Sequence, residues 1–192
     1  WSEHEACKER HGLSPVELLE REGVFRVPVT AAHCVWLDES DLPILRGHRA
    51  TIAHNPSSNL KLGSGIADIS HYLEEGLSIG VGTDGASSNN NLDMLEELTL
   101  ASLLAKGSSH DATALSPPVL LQLSGLNGAE AQGRMNCGLI EPGYRADLLV
   151  VDLSGPHCQP VHDPLSALFY SANRNDIVLN MVDGRVLYRD GE

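Results

Sequence analysis

Four cysteines occur in 192 residues, Cys7, Cys34, Cys137 and Cys158, and no two of them stand in a Cys-x-x-Cys pair. That scatter excludes a zinc-thiolate knot and argues against a disulfide framework in a chain of this size, so the thiols are read as reduced. Cationic side chains are also scarce: 13 Lys and Arg stand against 26 Asp and Glu, for a formal charge of -13. Such a surface repels nucleic acid and anionic membrane, and neither is expected as a partner. No apolar run approaches the roughly 20 residues that cross a bilayer, and Trp1-Ser-Glu-His-Glu5 lacks a leader pattern, so a cytoplasmic enzyme is expected. Internal repeats and low-complexity tracts are missing too. What is present is a 42% hydrophobic composition, enough for a sizeable core. The length nonetheless falls short of the roughly 250 residues of a complete eight-stranded α/β barrel. The chain opens on Trp1 and is expected to start within a longer protein.

Helical and strand patterns alternate along the chain. Residues 2 to 8 are polar and helix-prone. Ser14-Pro15-Val-Glu17 supplies an N-cap and a first-turn proline for a helix closed by Gly23. Strands are expected over 27–35, 50–54 and 77–83, with a short helix over 38–46 and another over 66–75. The polar stretches 56–65 and 85–91 read as rim loops. Leu92 to Lys106 has apolar residues at helical spacing, and Ser116-Pro117-Pro118 starts a further helix. From Gly138 onward the pattern changes to a strand over 146–152, a helix over 163–170 and a hairpin around Asp183-Gly184. The expected architecture is α/β: the C-terminal part of a (β/α)8 barrel in residues 1–137, followed by strands of a small β-sandwich domain with an intervening helix in 138–192.

Chemistry concentrates where the apolar segments end. One closes on His33, the next on His54 and Asn55, and the third on Thr83-Asp84-Gly85. In a parallel barrel these ends share the rim that carries active sites. A carboxylate there can hold a metal ion or move a proton, and an imidazole can steady developing charge. Asp before Gly is also a common turn former, and a histidine at such a place can simply be half-buried and satisfied.

Four blocks, in order, carry a family resemblance: Thr30-Ala-Ala-His33-Cys-Val-Trp-Leu37; Ala53-His54-Asn55-Pro56-Ser-Ser-Asn59-Leu-Lys-Leu-Gly63; Gly82-Thr-Asp84-Gly-Ala-Ser-Ser88-Asn89-Asn90; and Gly138-Leu-Ile-Glu-Pro-Gly-Tyr-Arg-Ala-Asp147-Leu-Leu-Val-Val-Asp152. Together they resemble the amidohydrolase superfamily. Within it they are similar to the branch that holds the 5′-methylthioadenosine/S-adenosylhomocysteine deaminases and the chlorohydrolase-like deaminases.

The resemblance implies one divalent metal ion, zinc or else iron, activating water against an aromatic carbon that bears an amino or halide group. By the same resemblance Asp84 matches the metal-touching, proton-moving aspartate and His33 the histidine that hydrogen-bonds the water. Glu3 matches the tail of a His-x-x-Glu motif whose histidine falls just before Trp1, which makes it a catalytic candidate. His54, Asn55 and Ser88 are candidates for substrate contact. The family's His-x-His pair is found nowhere in the sequence, so the remaining metal ligands are expected outside this chain.

The expected activity is hydrolytic deamination of an adenine-type nucleoside with release of ammonia. The small-molecule substrate and water are then the partners, and self-association into a homo-oligomer is expected from unpaired strand edges. Two alternatives stay open: hydrolysis of guanine, cytosine or a triazine in the same superfamily, and a non-catalytic half-barrel. The remaining histidines, His48, His71, His110, His157 and His162, read as surface or structural, while His4 and His11 fall in the polar opening helix.

Overall fold

The computed structural model describes residues Trp1–Glu192. Helix α1 (Ser2–His11) has Glu3 and Glu5 in its first turn and Lys8, Arg10 and His11 in its last, charges that complement the helix dipole. Helix α2 (Pro15–Arg21) begins with a capping box: Ser14 Oγ accepts from the Glu17 N–H at 3.0 Å, and the Glu17 carboxylate accepts from the Ser14 N–H at 2.8 Å. Strand β1 (Thr30–Ala32), helix α3 (Asp41–Gly47), strand β2 (Thr51–His54), helices α4 (Pro56–Lys61) and α5 (Ile69–Glu74), and strand β3 (Ser78–Val81) follow. The three strands are parallel in the order β1-β2-β3, with Thr30 opposite Thr51 and Thr51 opposite Ser78. Two crossovers through helices thus bring the strand ends into line. Ile52 and Ile79 are fully buried in a core shared with Leu45, Leu98, Leu120 and Leu123.

Helices α6 (Ala86–Asn89), α7 (Met94–Ser109), α8 (Pro117–Ser124) and α9 (Leu126–Ala131) come next. Helix α9 lies against β2 and β3, and Thr30 Oγ1 on β1 donates to the Ala131 carbonyl at 2.9 Å. The α8–α9 junction sets the backbone at Gly138: its φ is 89°, and a Cβ there would sit 2.7 Å from backbone atoms of Gly125 and Leu126. Strand β4 (Leu148–Val151), helix α10 (Pro164–Tyr170) and strands β5 (Ile177–Val182) and β6 (Arg185–Arg189) complete the chain. The last three strands form a separate antiparallel sheet in the order β4-β5-β6. Its hairpin turns through Asp183 and Gly184, both at positive φ as a two-residue type I′ turn requires. Helix α10 packs against α7 and α8, and Phe169, 1% exposed, joins the main core.

Several expectations change. Residues 56–61 are helix α4 and residues 86–89 are helix α6, where polar loops were expected. Pro56 suits a first helical position, and the first-turn N–H of Ser57 is satisfied at 3.1 Å by Glu97, forty residues away, a cap that no local reading can see. Strand β1 shrinks from nine residues to three because Pro28 has no N–H to give and His33 and Cys34 turn left-handed at φ 69° and 45°. The helix from Pro117 breaks at Gly125 into two. His4 falls in the opening helix, as expected, and is buried there at 5% exposure with Nε2 3.3 Å from Asp38. No helix is long and apolar enough to cross a membrane.

Candidate active site

The parallel ladder runs past the strand ends and aligns them. The His33 N–H donates to the Ala53 carbonyl and the Gly82 N–H to the His54 carbonyl, each at 2.9 Å. His33 and Asp84 then leave the sheet in the left-handed region, at φ 69° and 60°. Histidine and aspartate are among the few side chains enriched there.

Asp84 accepts three hydrogen bonds. Ser58 Oγ and Ser88 Oγ donate to Oδ2 at 2.6 and 2.7 Å, and the Gly85 N–H donates to Oδ1 at 2.7 Å. These donors, Ser58 foremost, then Ser88 and the Gly85 amide, hold the carboxyl down at a pKa of about 2. A carboxylate has about four lone-pair positions, so roughly one, on Oδ1, stays open. The side chain is 34% exposed. His33 Nε2 stands 3.9 Å from Asp84 Oδ2, too far for a direct hydrogen bond. On the ring's other side, His33 Nδ1 lies 2.8 Å from Oδ1 of the buried Asn59. With that oxygen accepting, Nδ1 carries the proton and Nε2 presents its lone pair toward Asp84.

His54, 2% exposed, sits beneath this pair, and its Nδ1 has no partner. Burial, with His33 nearby as a lesser cause, lowers its pKa to about 4, so the ring is neutral at pH 7. Asn55 turns back on the sheet: Nδ2 donates to the Ala53 carbonyl at 3.0 Å, and Oδ1 fills the space where a Cβ on residue 82 would stand, 2.7 Å away. A side chain at 82 would therefore have to displace Asn55. Ser88 is buried at 8% exposure and faces Asp84. Glu3 is exposed at the start of α1, and no hydrogen bond or ion pair joins it to His33 or Asp84. Of the six candidates the structure thus brings together His33, Asp84 and Ser88, with His54 and Asn55 directly below, and leaves Glu3 apart. Ser58 and Asn59 are partners that the reading of 56–65 as a loop passed over; the Pro56 helix start after a strand-end histidine is the signal for them.

The residues present fit one flank of a mononuclear metal site: one carboxylate with an open lone pair beside one imidazole nitrogen with another. Catalytic zinc sites use about three protein ligands, so the other donors would have to come from residues outside this chain. A second cluster of metal-type groups, His157, Cys158 and Asp176, has its donor atoms within 4.8 Å of one another. There Asp176 Oδ2 already accepts from the Asn173 N–H and pairs with His157 Nε2 at 2.9 Å, closing a turn ahead of β5.

Residues 1–187 match the model of the amidohydrolase family. A 5-methylthioadenosine/S-adenosylhomocysteine deaminase of Dictyoglomus thermophilum is 45% identical over 190 residues, 99% of this chain and 45% of that protein. A 5′-deoxyadenosine deaminase of Methanosarcina acetivorans is 46% identical over 186 residues, 97% of this chain and 43% of that protein. The crystal structure of an adenosine deaminase from Xanthomonas campestris with bound zinc superposes with a TM-score of 0.93 at 35% identity, over 98% of this chain and 43% of that one. The chain spans less than half the length of the proteins it matches.

Proposed function

We propose, from the premise that this chain belongs to the amidohydrolase family, that it carries one flank of the active site of a metal-dependent hydrolytic deaminase acting on an adenine-type nucleoside. Its fold is the later part of a (β/α)8 barrel followed by strands of a small β-domain, an open sheet here rather than a closed barrel. We divide it at residue 137, with 138–192 contributing the small domain. The observation that carries the activity is the Asp84–His33 pair at the ends of parallel strands, with Asp84 held ionised by Ser58, Ser88 and the Gly85 amide.

A divalent ion, zinc by analogy with the zinc-bound neighbour, supplies the Lewis acidity that makes a water ionisable near neutral pH. Asp84 is the residue of this chain that would hold it. The same carboxylate, kept ionised by its three donors, would take the water's proton. His33 Nε2, its lone pair free and 3.9 Å from Asp84 Oδ2, would accept the water's other hydrogen. The Asn59 contact fixes the ring that receives it. By the family resemblance alone, Glu3 would return the proton to the leaving amino group; the structure leaves it apart from His33 and Asp84. The names of the relatives, deaminases of methylthioadenosine, S-adenosylhomocysteine and 5′-deoxyadenosine, favour a 5′-modified adenosine as substrate and ammonia as product.

The test is ammonia release from 5′-methylthioadenosine and 5′-deoxyadenosine by the intact, zinc-loaded protein and its Asp84→Asn variant. The expected outcome is turnover in the parent and a loss of about 10²–10⁴ in kcat in the variant, the scale of a general base. Zinc uptake without ammonia from any adenosine derivative overturns the deaminase reading, and near-parental kcat in Asp84→Asn removes that residue from the chemistry.

A further inference from the structure

Glu97 lies in the first turn of α7 and is 1% exposed, yet no Lys, Arg or His nitrogen pairs with it. A carboxylate buried without a cation is destabilising unless hydrogen bonds satisfy it. Two do. The Ser57 N–H, in the first turn of α4, donates to Oε2 at 3.1 Å, and Asn89 Nδ2, at the end of α6, donates to Oε1 at 2.6 Å. Asn89 is locked in turn, its Oδ1 accepting from the Leu92 N–H at 2.7 Å.

These two short helices deliver the hydroxyls on Asp84: Ser58 follows Ser57 in α4, and Ser88 precedes Asn89 in α6. Asn59, which orients His33, is one residue further along α4. Neither helix can hold itself in place. Helix α4 has six residues and α6 four, and neither has a side-chain N-cap of its own. We propose that Glu97 is the positioning residue of the Asp84 site: a single buried carboxylate clasps α4 to α6, so that Ser58 and Ser88 converge on one oxygen of Asp84 while Asn59 holds the His33 ring. The proposal rests on the Asp84 reading above for its consequence in catalysis, and on the hydrogen bonds alone for the clasp. A second tie, from Lys61 Nζ to the Ser87 carbonyl at 3.0 Å and to Asn90, joins the same helices at the exposed side. Its expected contribution is small, because water competes with it there.

Glu97→Gln keeps the shape but turns an amide N–H₂ toward one of the two donors, so α4 and α6 are no longer tied to each other and both loosen. Two readouts on the intact, metal-free protein test this. In native hydrogen exchange, the amides of residues 57–61 and 85–90 should both exchange faster in Glu97→Gln, and much less so in Lys61→Ala. Zinc affinity, measured by competition with a chromophoric chelator, should weaken about 10–100-fold, the usual effect of a residue that orients a ligand from behind. Ile79→Val, a core variant near the start of β3 that is expected to lower the melting temperature, should leave that affinity unchanged.

Exchange that rises in only one of the two segments overturns the clasp. Zinc affinity within about twofold of the parent in a destabilised Glu97→Gln, or an equal loss in Ile79→Val, reduces Glu97 to a fold residue and overturns the positioning role. If the parent takes up no zinc, the deaminase proposal fails, while the exchange result still decides the clasp. Should Glu97→Gln not fold, Asn89→Ala cuts only the α6 arm and is expected to give the same loss of zinc affinity, with faster exchange beginning at 85–90; unchanged affinity there refutes the proposal as well.

Discussion

Acidification from pH 7 to pH 4 should remove about 3 kcal/mol of folding stability through His54 alone. The ring is 2% exposed, and its Nδ1 has no partner to receive a charge. Burial lowers its pKa from 6.5 to about 4. The unfolded chain therefore binds this proton some two and a half pH units before the folded chain does, at about 1.4 kcal/mol per unit. The sign follows: the contribution is fully present above pH 6.5, falls as the unfolded state protonates below it, and is gone by about pH 4, where the folded ring also charges. The assay is urea unfolding of the intact protein at several pH values between 7 and 4, beside His54→Asn, which cannot titrate there. Absolute stabilities of the two will differ for packing reasons, so the quantity read is the difference between their pH slopes. A parent slope matching that of His54→Asn, or a His54 ring that titrates by NMR near 6.5, would falsify the burial argument.

Two further perturbations test the packing that holds the strand ends. Phe169→Ala, in helix α10 at 1% exposure, should cost about 3–5 kcal/mol in urea unfolding; a loss below about 1 kcal/mol would show that α10 does not share the main core. Ser14→Ala removes both the cap of α2 and a hydroxyl donor to the fully buried Asp41, and should cost about 2–4 kcal/mol. Ser14→Thr, which retains the hydroxyl, should recover most of it, and equal losses in the two variants would refute the hydrogen-bond account.

The parts of the fold that were legible in the sequence are those whose determinants are local. Ser14-Pro15-Val16-Glu17 announces α2 and Asp183-Gly184 announces the β5–β6 hairpin, because a cap and a type I′ turn are each written in neighbouring residues. The ends of β2 and β3 were legible for the same reason, as apolar runs stopping at His54 and Asp84. The departures arise from contacts distant in sequence. Helix α4 is too short to show a period and takes its cap from Glu97. Helix α6 ends on Asn89, whose side chain is committed to the same carboxylate. Asp84 and His33 could be singled out because they end strands, but their partners Ser58 and Asn59 could not, since their chemistry depends on a helix that only tertiary contacts create.

That dependence bears on how the site is assembled. Every donor to Asp84 comes from residues 58, 85 and 88, and the partner of His33 is residue 59, so the direct partners of this flank follow β2 and β3 closely, while His33 itself ends β1 and Glu97 reaches in from α7. Both residues stand in the left-handed region, where the chain leaves the ladder abruptly. A carboxylate anchored by three hydrogen bonds and an imidazole anchored by one lose little freedom when an ion or substrate arrives, which is the condition for electrostatic stabilisation without reorganisation. Donors outside this chain would thus meet a preformed wall. Their contribution to metal affinity should then depend on their own geometry, leaving the Asp84 flank the same before and after they bind.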